Sequence, residues 1–202
     1  MGQQVEETDT VQVGKKILQG KQTQKVLAFY KPVGVTCTER DPHAEKKIMD
    51  MIRYPERLTY AGRLDKDSEG LILLTNDGDL INAMMRGANR HEKEYIVKTD
   101  RKITPDFLEK MAKGIYLKDL DITTRECEIE QIGKFTFRIV LTQGVNRQIR
   151  RMCEACGYRV KALKRIRIMN ILLGDLKPGK WREVTGEELE QLQRDTGMLN
   201  HN

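Results

Sequence analysis

Apolar and polar positions repeat with two different periods along this 202-residue chain, and the changes of period mark its elements. Val26-Leu27-Ala28-Phe29-Tyr30 is an unbroken apolar run of strand length, stopped by Lys31-Pro32 and Gly34, which predicts a buried strand. Leu71–Thr75 is a second such run, and extended structure resumes over Val35–Thr38. Glu94–Lys98, Ile122–Ile129 and Phe135–Thr142 alternate and read as three further strands, the last two paired. Val160–Leu173 mixes basic and apolar residues, with alternation at Ile166 and Ile168, as in a strand with one wet basic side.

Helical spacing marks five other segments. His43–Ile52 places Ile48, Met49 and Ile52 inward, and Tyr54-Pro55 ends it. The Asp77-Gly78 turn leads to a helix over Leu80–Met85 with Asp79 as its cap. Thr104–Met111 has a capping Thr104 and Pro105 at its first position. In Asn146–Cys156, Ile149, Met152, Cys153 and Cys156 fall on one face, and Gly157 stops the helix. A capping box from Thr185 to Glu188 starts a last helix, Glu187–Arg194. Strands and helices interleave without a strict βαβ rhythm, so the expected class is α+β: a mixed, mostly antiparallel central sheet with flanking helices. Residues 1–24 are polar, with one short strand near Val11 and Val13, the Gly14-Lys15-Lys16 turn and a linker from Gln19.

Composition narrows the setting. The chain has no apolar run near the roughly 20 residues that span a bilayer, so no membrane partner is expected. Its first residues, MGQQVEETDT, are polar and acidic and do not read as a signal peptide, so a cytoplasmic protein is expected. The net charge is +6, but between Arg147 and Arg182 eleven Lys/Arg face only Glu154 and Asp175, a local excess larger than that of the whole chain. These bases spread over a helix, a turn and a strand, which suits a folded surface for a polyanion such as RNA. Four cysteines fit free thiols, and Cys153-Glu-Ala-Cys156 has no second ligand pair to complete a zinc site. Its spacing matches the apolar face of the helix, a structural role.

The candidate chemistry lies in Tyr60–Asp79, where Arg63, Asp65, Lys66, Asp67 and Glu69 crowd into seven residues before the apolar run at Leu71. Buried charge needs partners, so a charged loop set against a buried strand implies work for the loop. Asp65-x-Asp67-x-Glu69-Gly70 matches the first half of a calcium-binding EF-hand loop, but Asn76 stands at the twelfth position and no helix pair flanks it. There is no GxxxxGK[ST] or GxGxxG phosphate loop, and Ser68 has no nearby His. A carboxylate in a glycine-bounded loop remains, with Asp65 as nucleophile or base and no cofactor or metal.

Tyr60-Ala61-Gly62-Arg63-Leu64-Asp65, with Ser68-Glu69-Gly70-Leu71 and Thr75-Asn76-Asp77-Gly78, resembles the catalytic motif of the RsuA-type pseudouridine synthases. Lys31-Pro32-x-Gly34-Val35, Lys93-Glu94-Tyr95-x-Val97, Gly144-x-Asn146-Arg147-Gln148-Ile149-Arg150-Arg151-Met152 and Gly179-x-Trp181-Arg182-x-x-Thr185 resemble four further motifs, in family order. His91-Glu92-Lys93-Glu94-Tyr95 and Arg167-Ile168-Met169-Asn170 look most like the RluF-type branch, which acts on large-subunit ribosomal RNA. The resemblance implies the pseudouridine synthase fold with a catalytic cleft over residues 25–195, followed by a tail at 196–202. Family members usually begin with a small S4 RNA-binding domain, and 1–24 resembles only a remnant of it plus a linker, so weaker RNA binding than by a full-length member is expected.

It further implies a bacterial isomerase that needs no cofactor, is monomeric, and converts a uridine of 23S rRNA to pseudouridine by base flipping. Asp65 is then the essential carboxylate, Arg150 its guanidinium partner, Tyr95 the stacking platform and Ile149 a pocket wall. Arg63 fills the space of the flipped nucleotide. Lys31, Arg147, Arg151, Lys161, Lys164, Arg165 and Arg167 are the expected RNA contacts. The alternatives are a non-catalytic RNA-binding module of ribosome assembly, or the same chemistry on tRNA or small-subunit rRNA.

Overall fold

The structure, a computed structural model, describes residues 23–37 and 47–199, together with the backbone of two short strands, β1 (Val11–Val13) and β2 (Lys16–Leu18). These two strands pair antiparallel. The pairing adds a second strand to the single one expected there, whereas the Gly14-Lys15 part of the turn, the linker at 19–22 and residues 1–10 lie outside the described residues. So does 43–46, the start of the helix expected over His43–Ile52. Its described part is one turn, α1 (Ile48–Met51).

One nine-stranded sheet organises the rest. Its members are β3 (Val26–Lys31), β4 (Thr59–Ala61), β5 (Glu69–Thr75), β6 (Lys93–Thr99), β9 (Glu128–Gly133), β10 (Thr136–Leu141), β11 (Val160–Ile168), β12 (Ile171–Leu172) and β13 (Trp181–Glu183). The main path runs β13-β3-β5-β11-β6-β10-β9, with β4 on β5 and β12 on β11. All of these pairs are antiparallel except β5 with β11, where Lys164 faces Glu69 and Arg165 faces Gly70. The sheet is mixed and mostly antiparallel, as expected. The remaining strands, β7 (Tyr116–Leu117) and β8 (Ile122–Thr123), form a separate pair.

The apolar runs at Val26 and Leu71 are continuous because β3 and β5 are buried on both faces. Val26, Ala28, Leu71 and Leu73 pack with Leu80 and Met84 of α2 (Gly78–Met85) and with Leu192 of α5 (Gly186–Asp195). Leu27, Phe29, Ile72 and Leu74 pack on the opposite side with Val35, Ile48, Ile52, Leu58 and Leu64. A third cluster joins Val97, Phe137, Ile139, Leu141 and Leu163 to Phe107 and Met111 of α3 (Pro105–Lys113). It also takes in Ile149, Met152 and Cys153 of α4 (Gln148–Ala155), which accounts for the helical spacing of that segment. Cys156 packs against the same cluster, and burial pushes the Cys153 thiol up to about 12, so both cysteines of the CxxC act as core residues.

Three local expectations are corrected. Asp77, not Asp79, caps α2, its carboxylate accepting from Asp79 N and Leu80 N. The Thr185 side chain makes no cap bond, and Glu188 turns instead to Arg182 at 2.6 Å, so the capping box does not form. The alternating stretch Ile122–Ile129 is two strands in two sheets. Thr124 lies between them, its backbone oxygen close to Gly114 and its hydroxyl accepting from Ile115 N. Thr104 caps α3 as expected, accepting from Phe107 N at 3.1 Å.

Gly70 has φ +113, and a Cβ there would overlap the Arg165 carbonyl and come within 2.7 Å of Arg165 N. Gly34 has φ +89 but open space around it. Gly70→Ala is therefore expected to lower stability by about 3 kcal/mol or more, as a steric clash in the sheet core does. Gly34→Ala should cost only the backbone strain, about 1 kcal/mol. Denaturant midpoints of the two variants check the ranking, and equal losses would contradict the close parallel approach of β5 and β11.

Candidate active site

The connection from β4 to β5, residues 62–68, carries the acidic motif and is tied down through its main chain. Lys31, at 0% exposure, donates from Nζ to Val35 O (2.7 Å), Pro32 O (2.8 Å) and Lys66 O (3.4 Å). Gly34 N donates to the same Lys66 oxygen at 2.8 Å. The Cys37 thiol donates to Leu64 O and its sulfur accepts from Leu64 N. Arg165 comes from below, with Nε on Leu71 O (2.8 Å) and Nη1 on Arg63 O (3.4 Å). Inside the loop, Ser68 N donates to Asp65 O at 3.1 Å. The backbone groups are thus held by buried side chains, which leaves the Asp65 and Asp67 side chains directed to the loop's other side.

There they meet α4. The residue before this helix, Arg147, sits at φ +51 and bridges two carboxylates, Nη1 to Asp65 Oδ2 at 3.3 Å and Nη2 to Asp67 Oδ2 at 2.9 Å. Its hydrogen bonds hold the Asp67 carboxyl below the usual carboxylate range, and Asp67 in turn raises the arginine. Arg150, one turn on, donates from Nη2 to Asp67 O (3.0 Å) and Ser68 Oγ (3.1 Å) and lies 3.5 Å from Asp67 Oδ1. The expected Arg150–Asp65 pair is therefore corrected: the guanidinium on Asp65 is that of Arg147. Two residues lie between the two arginines, and the first takes the Asp65 and Asp67 carboxylates while the second takes Asp67 O and Ser68 Oγ. Glu69 faces elsewhere and accepts from Tyr30 Oη at 2.8 Å, so the three acids of the loop do not converge as a calcium loop requires.

These groups open on a cavity of about 530 Å³. Its lining includes Asp65, Arg63, Tyr95, Ile149 and Arg150, so all five expected active-site residues meet in one cleft. Strand register explains part of the set. Tyr95 lies opposite Arg165, and Lys93 lies opposite Leu141, so their side chains share one face of the sheet, and all four line the cavity.

The expected RNA contacts divide. Lys161 is exposed, and Arg151 reaches Asn146 O and lies 3.9 Å from Asp119. Lys164 lies 5.8 Å over the Tyr30 ring. Lys31, Arg165 and Arg167 are corrected as surface phosphate contacts. Lys31 and Arg165 are buried under the loop. Arg167 is held by Glu94 (2.8 Å) and Glu92 (3.0 Å) in an ion-pair network that also binds Arg138 to Glu94. Cys37, Asp67, Ser68 and Lys93 stand at the site although the sequence reading gave them no role there. Lys93 carried a usable signal, since it precedes Tyr95 by two residues on a strand and must share its face.

With this geometry in place, the chain can be classed. Residues 25–155 match the family model described as RNA pseudouridylate synthase, and the chain belongs to that family. It is 43% identical to the dual-specificity RNA pseudouridine synthase RluF of Escherichia coli K12 over 95% of this chain and 66% of that protein. It is 34% identical to the ribosomal large subunit pseudouridine synthase B of Vibrio cholerae over 84% of this chain and 54% of that one. The chain thus spans just under two thirds, or less, of these relatives. A crystal structure of a pseudouridylate synthase superposes with a TM-score of 0.79 at 27% identity, covering 94% of this chain and 82% of that one. The fold is accordingly the pseudouridine synthase fold. No helix among the described residues is long and apolar enough to cross a membrane.

Burial depresses the Lys31 ammonium to about 8 against its ordinary 10.5, and the nearby Cys37, Asp65, Asp67 and Glu69 charges only partly oppose this. Between those two values the unfolded chain binds the extra proton, so stability rises with pH across that window. Lys31→Met removes the dependence and leaves buried carbonyls without their donor, for a net loss of about 2 kcal/mol at pH 7. The stability gap between parent and variant should widen from pH 8 to pH 10.5 in urea titrations; a constant gap would contradict a buried charge at this position.

Proposed function

We propose that the chain is an RNA pseudouridine synthase acting on a uridine of large-subunit ribosomal RNA, with Asp65 as its essential carboxylate. The observation that carries this reading is Asp65 itself, set at the side of a cleft beside Tyr95 and Ile149 and paired with Arg147. The target's N1–C1′ bond breaks, the base turns over, and C5 bonds to C1′. Asp65 attacks the sugar or the base, or removes a proton from C2′, and each route needs the carboxylate held at the cleft, where the Arg147 guanidinium meets it at 3.3 Å. A cavity of about 530 Å³ is of the size that small ligands occupy, and suits one extruded nucleotide.

Extrusion costs a few kcal/mol of lost stacking. Tyr95 offers the flipped base a new stacking surface and Ile149 a wall opposite. Arg63 is exposed at the cleft and is placed to enter the vacated position in the RNA. Lys66, Arg151, Lys161 and Lys164 supply backbone phosphate contacts, a salt-dependent contribution. The chain works as a cytoplasmic monomer, and residues 25–195 are its catalytic unit. The rRNA assignment follows the named activities of the relatives, and the dual specificity of one of them makes tRNA the second substrate to assay.

The test is tritium release from [5-³H]uridine-labelled rRNA fragments and tRNA transcripts. The parent should release tritium from at least one of them. Asp65→Asn should lose at least about a thousandfold in rate, equivalent to roughly 4 kcal/mol of transition-state stabilisation, while retaining RNA binding. Release that persists in the variant would remove Asp65 from its role. A parent that binds RNA with no release would favour the binding-module alternative.

A further inference from the structure

The sheet face at the floor of the cleft holds more positive charge than Asp65 and Asp67 draw on. Arg165 is 2% exposed, uses Nε and Nη1 on the Leu71 and Arg63 carbonyls, and leaves Nη2 with no hydrogen-bond partner among the described residues. Buried donors in native proteins are rarely left so, and the side chain that carries this one is part of the cavity lining, which points to a ligand. Lys93 lines the same cavity and carries no hydrogen bond or ion pair from its ammonium among the described residues. Burial and the neighbouring Arg165 charge both press its pKa down. Two cations held together with no carboxylate between them repel, and the arrangement is improved by an anion placed against both.

We propose that Lys93 Nζ and Arg165 Nη2 receive the negative charge of the substrate's pyrimidine base once it has left the sugar. The inference rests on the synthase reading above. When N1–C1′ breaks, its electron pair stays with the base, which becomes an anion with charge shared over N1, O2 and O4. Asp65 meets the electron-poor sugar by adding to C1′ or by taking the C2′ proton. The base turns and C5 donates a pair to C1′ as the Asp65–C1′ bond breaks or as Asp65 returns the proton to C2′; the C5 hydrogen then leaves as a proton and N1 takes one up, so the product is an isomer with nothing added. Donors aimed at O2 or O4 stabilise the state in which the charge has developed, which lowers the barrier to detachment. The surroundings favour a base over a phosphate here. Tyr95, Leu141, Ile149 and Leu163 give flat or apolar contact to a ring, whereas exposed Lys66 at the rim suits a phosphate.

Arg165 also holds the loop, so the test is made at Lys93. Under single-turnover conditions with saturating RNA, Lys93→Met is expected to release tritium about a hundredfold more slowly, as loss of one donor to a developing anion does. Its RNA affinity and salt dependence should equal the parent's, and Lys93→Arg should stay within about tenfold of the parent. A parent-like rate in Lys93→Met overturns the proposal. So do equal losses in Lys93→Met and Lys93→Arg, which would mark a packing role. Weakened binding with a salt slope smaller by about one and an unchanged rate would assign Lys93 to a phosphate instead. A second readout needs no turnover: barbiturate, a planar pyrimidine anion at neutral pH, should bind the parent at least about tenfold more tightly than neutral uracil, a preference worth roughly 1.4 kcal/mol. Lys93→Met should lose that preference, and its absence in the parent overturns the proposal. If barbiturate is preferred but no RNA releases tritium, the synthase reading fails rather than the anion site.

Discussion

Everything at this site depends on two buried cations holding an acidic loop by its carbonyl oxygens. Lys31 and Arg165 both lie buried beneath residues 62–68, and their hydrogen bonds go to Lys66 O, Val35 O, Pro32 O, Arg63 O and Leu71 O. A charge buried in this way is tolerated because charge-assisted hydrogen bonds replace its water and because Asp65, Asp67 and Glu69 lie nearby. Had the cations paired directly with the carboxylates, the loop would have closed on itself. Binding them to the main chain fixes the backbone and leaves the Asp65 carboxylate facing the cleft.

The sheet supplies the other half of the constraint. The one parallel strand pair in it among the described residues, β5 against β11, brings the backbone of Arg165 onto Gly70, where no side chain fits. That contact delivers the Arg165 side chain under the loop, and the antiparallel pairing of β11 with β6 places Tyr95 and Lys93 on the same face. Loop, Tyr95 and cations are thus set by the register of three adjacent strands, with Ile149 and Arg150 of α4, and Arg147 just before it, completing the cavity lining.

The same logic shows what could be read from the chain alone. Continuous apolar runs at Val26 and Leu71 identify strands buried on both faces, and the i, i+3, i+4, i+7 set at Ile149 identifies the buried side of α4. The cleft residues Asp65, Arg63, Tyr95, Ile149 and Arg150 came from motif resemblance, and they do meet. Local spacing could not say which arginine takes which acid. Arg147 and Arg150 stand three residues apart, and the choice depends on the left-handed residue before α4 and on how the loop is seated. Nor could composition separate Lys31, Arg165 and Arg167 from solvated bases, because their burial comes from strands distant in sequence. The wet basic face expected of β11 is in part an interior one. Thr185 and Glu188 fit a capping box by spacing, but Arg182 on the neighbouring strand offered Glu188 a charged partner, and tertiary pairing won.

The distribution of burial also separates what the loop needs for folding from what it needs for chemistry. The Asp65–Arg147 pair is open to solvent, with side chains 36% and 40% exposed, and pairs of that kind contribute at most about 1 kcal/mol. Arg150, at 13%, is the more committed of the two arginines, and its bonds run to Asp67 O and Ser68 Oγ rather than to Asp65. The strongly buried attachments, from Lys31, Cys37 and Arg165, bypass the Asp65 carboxylate as well. The Asp65 side chain is therefore held by this one solvent-open pair and by none of the buried attachments. That is the arrangement a reacting group needs: its position is fixed by the backbone beneath it, and its charge stays available to a substrate entering from above.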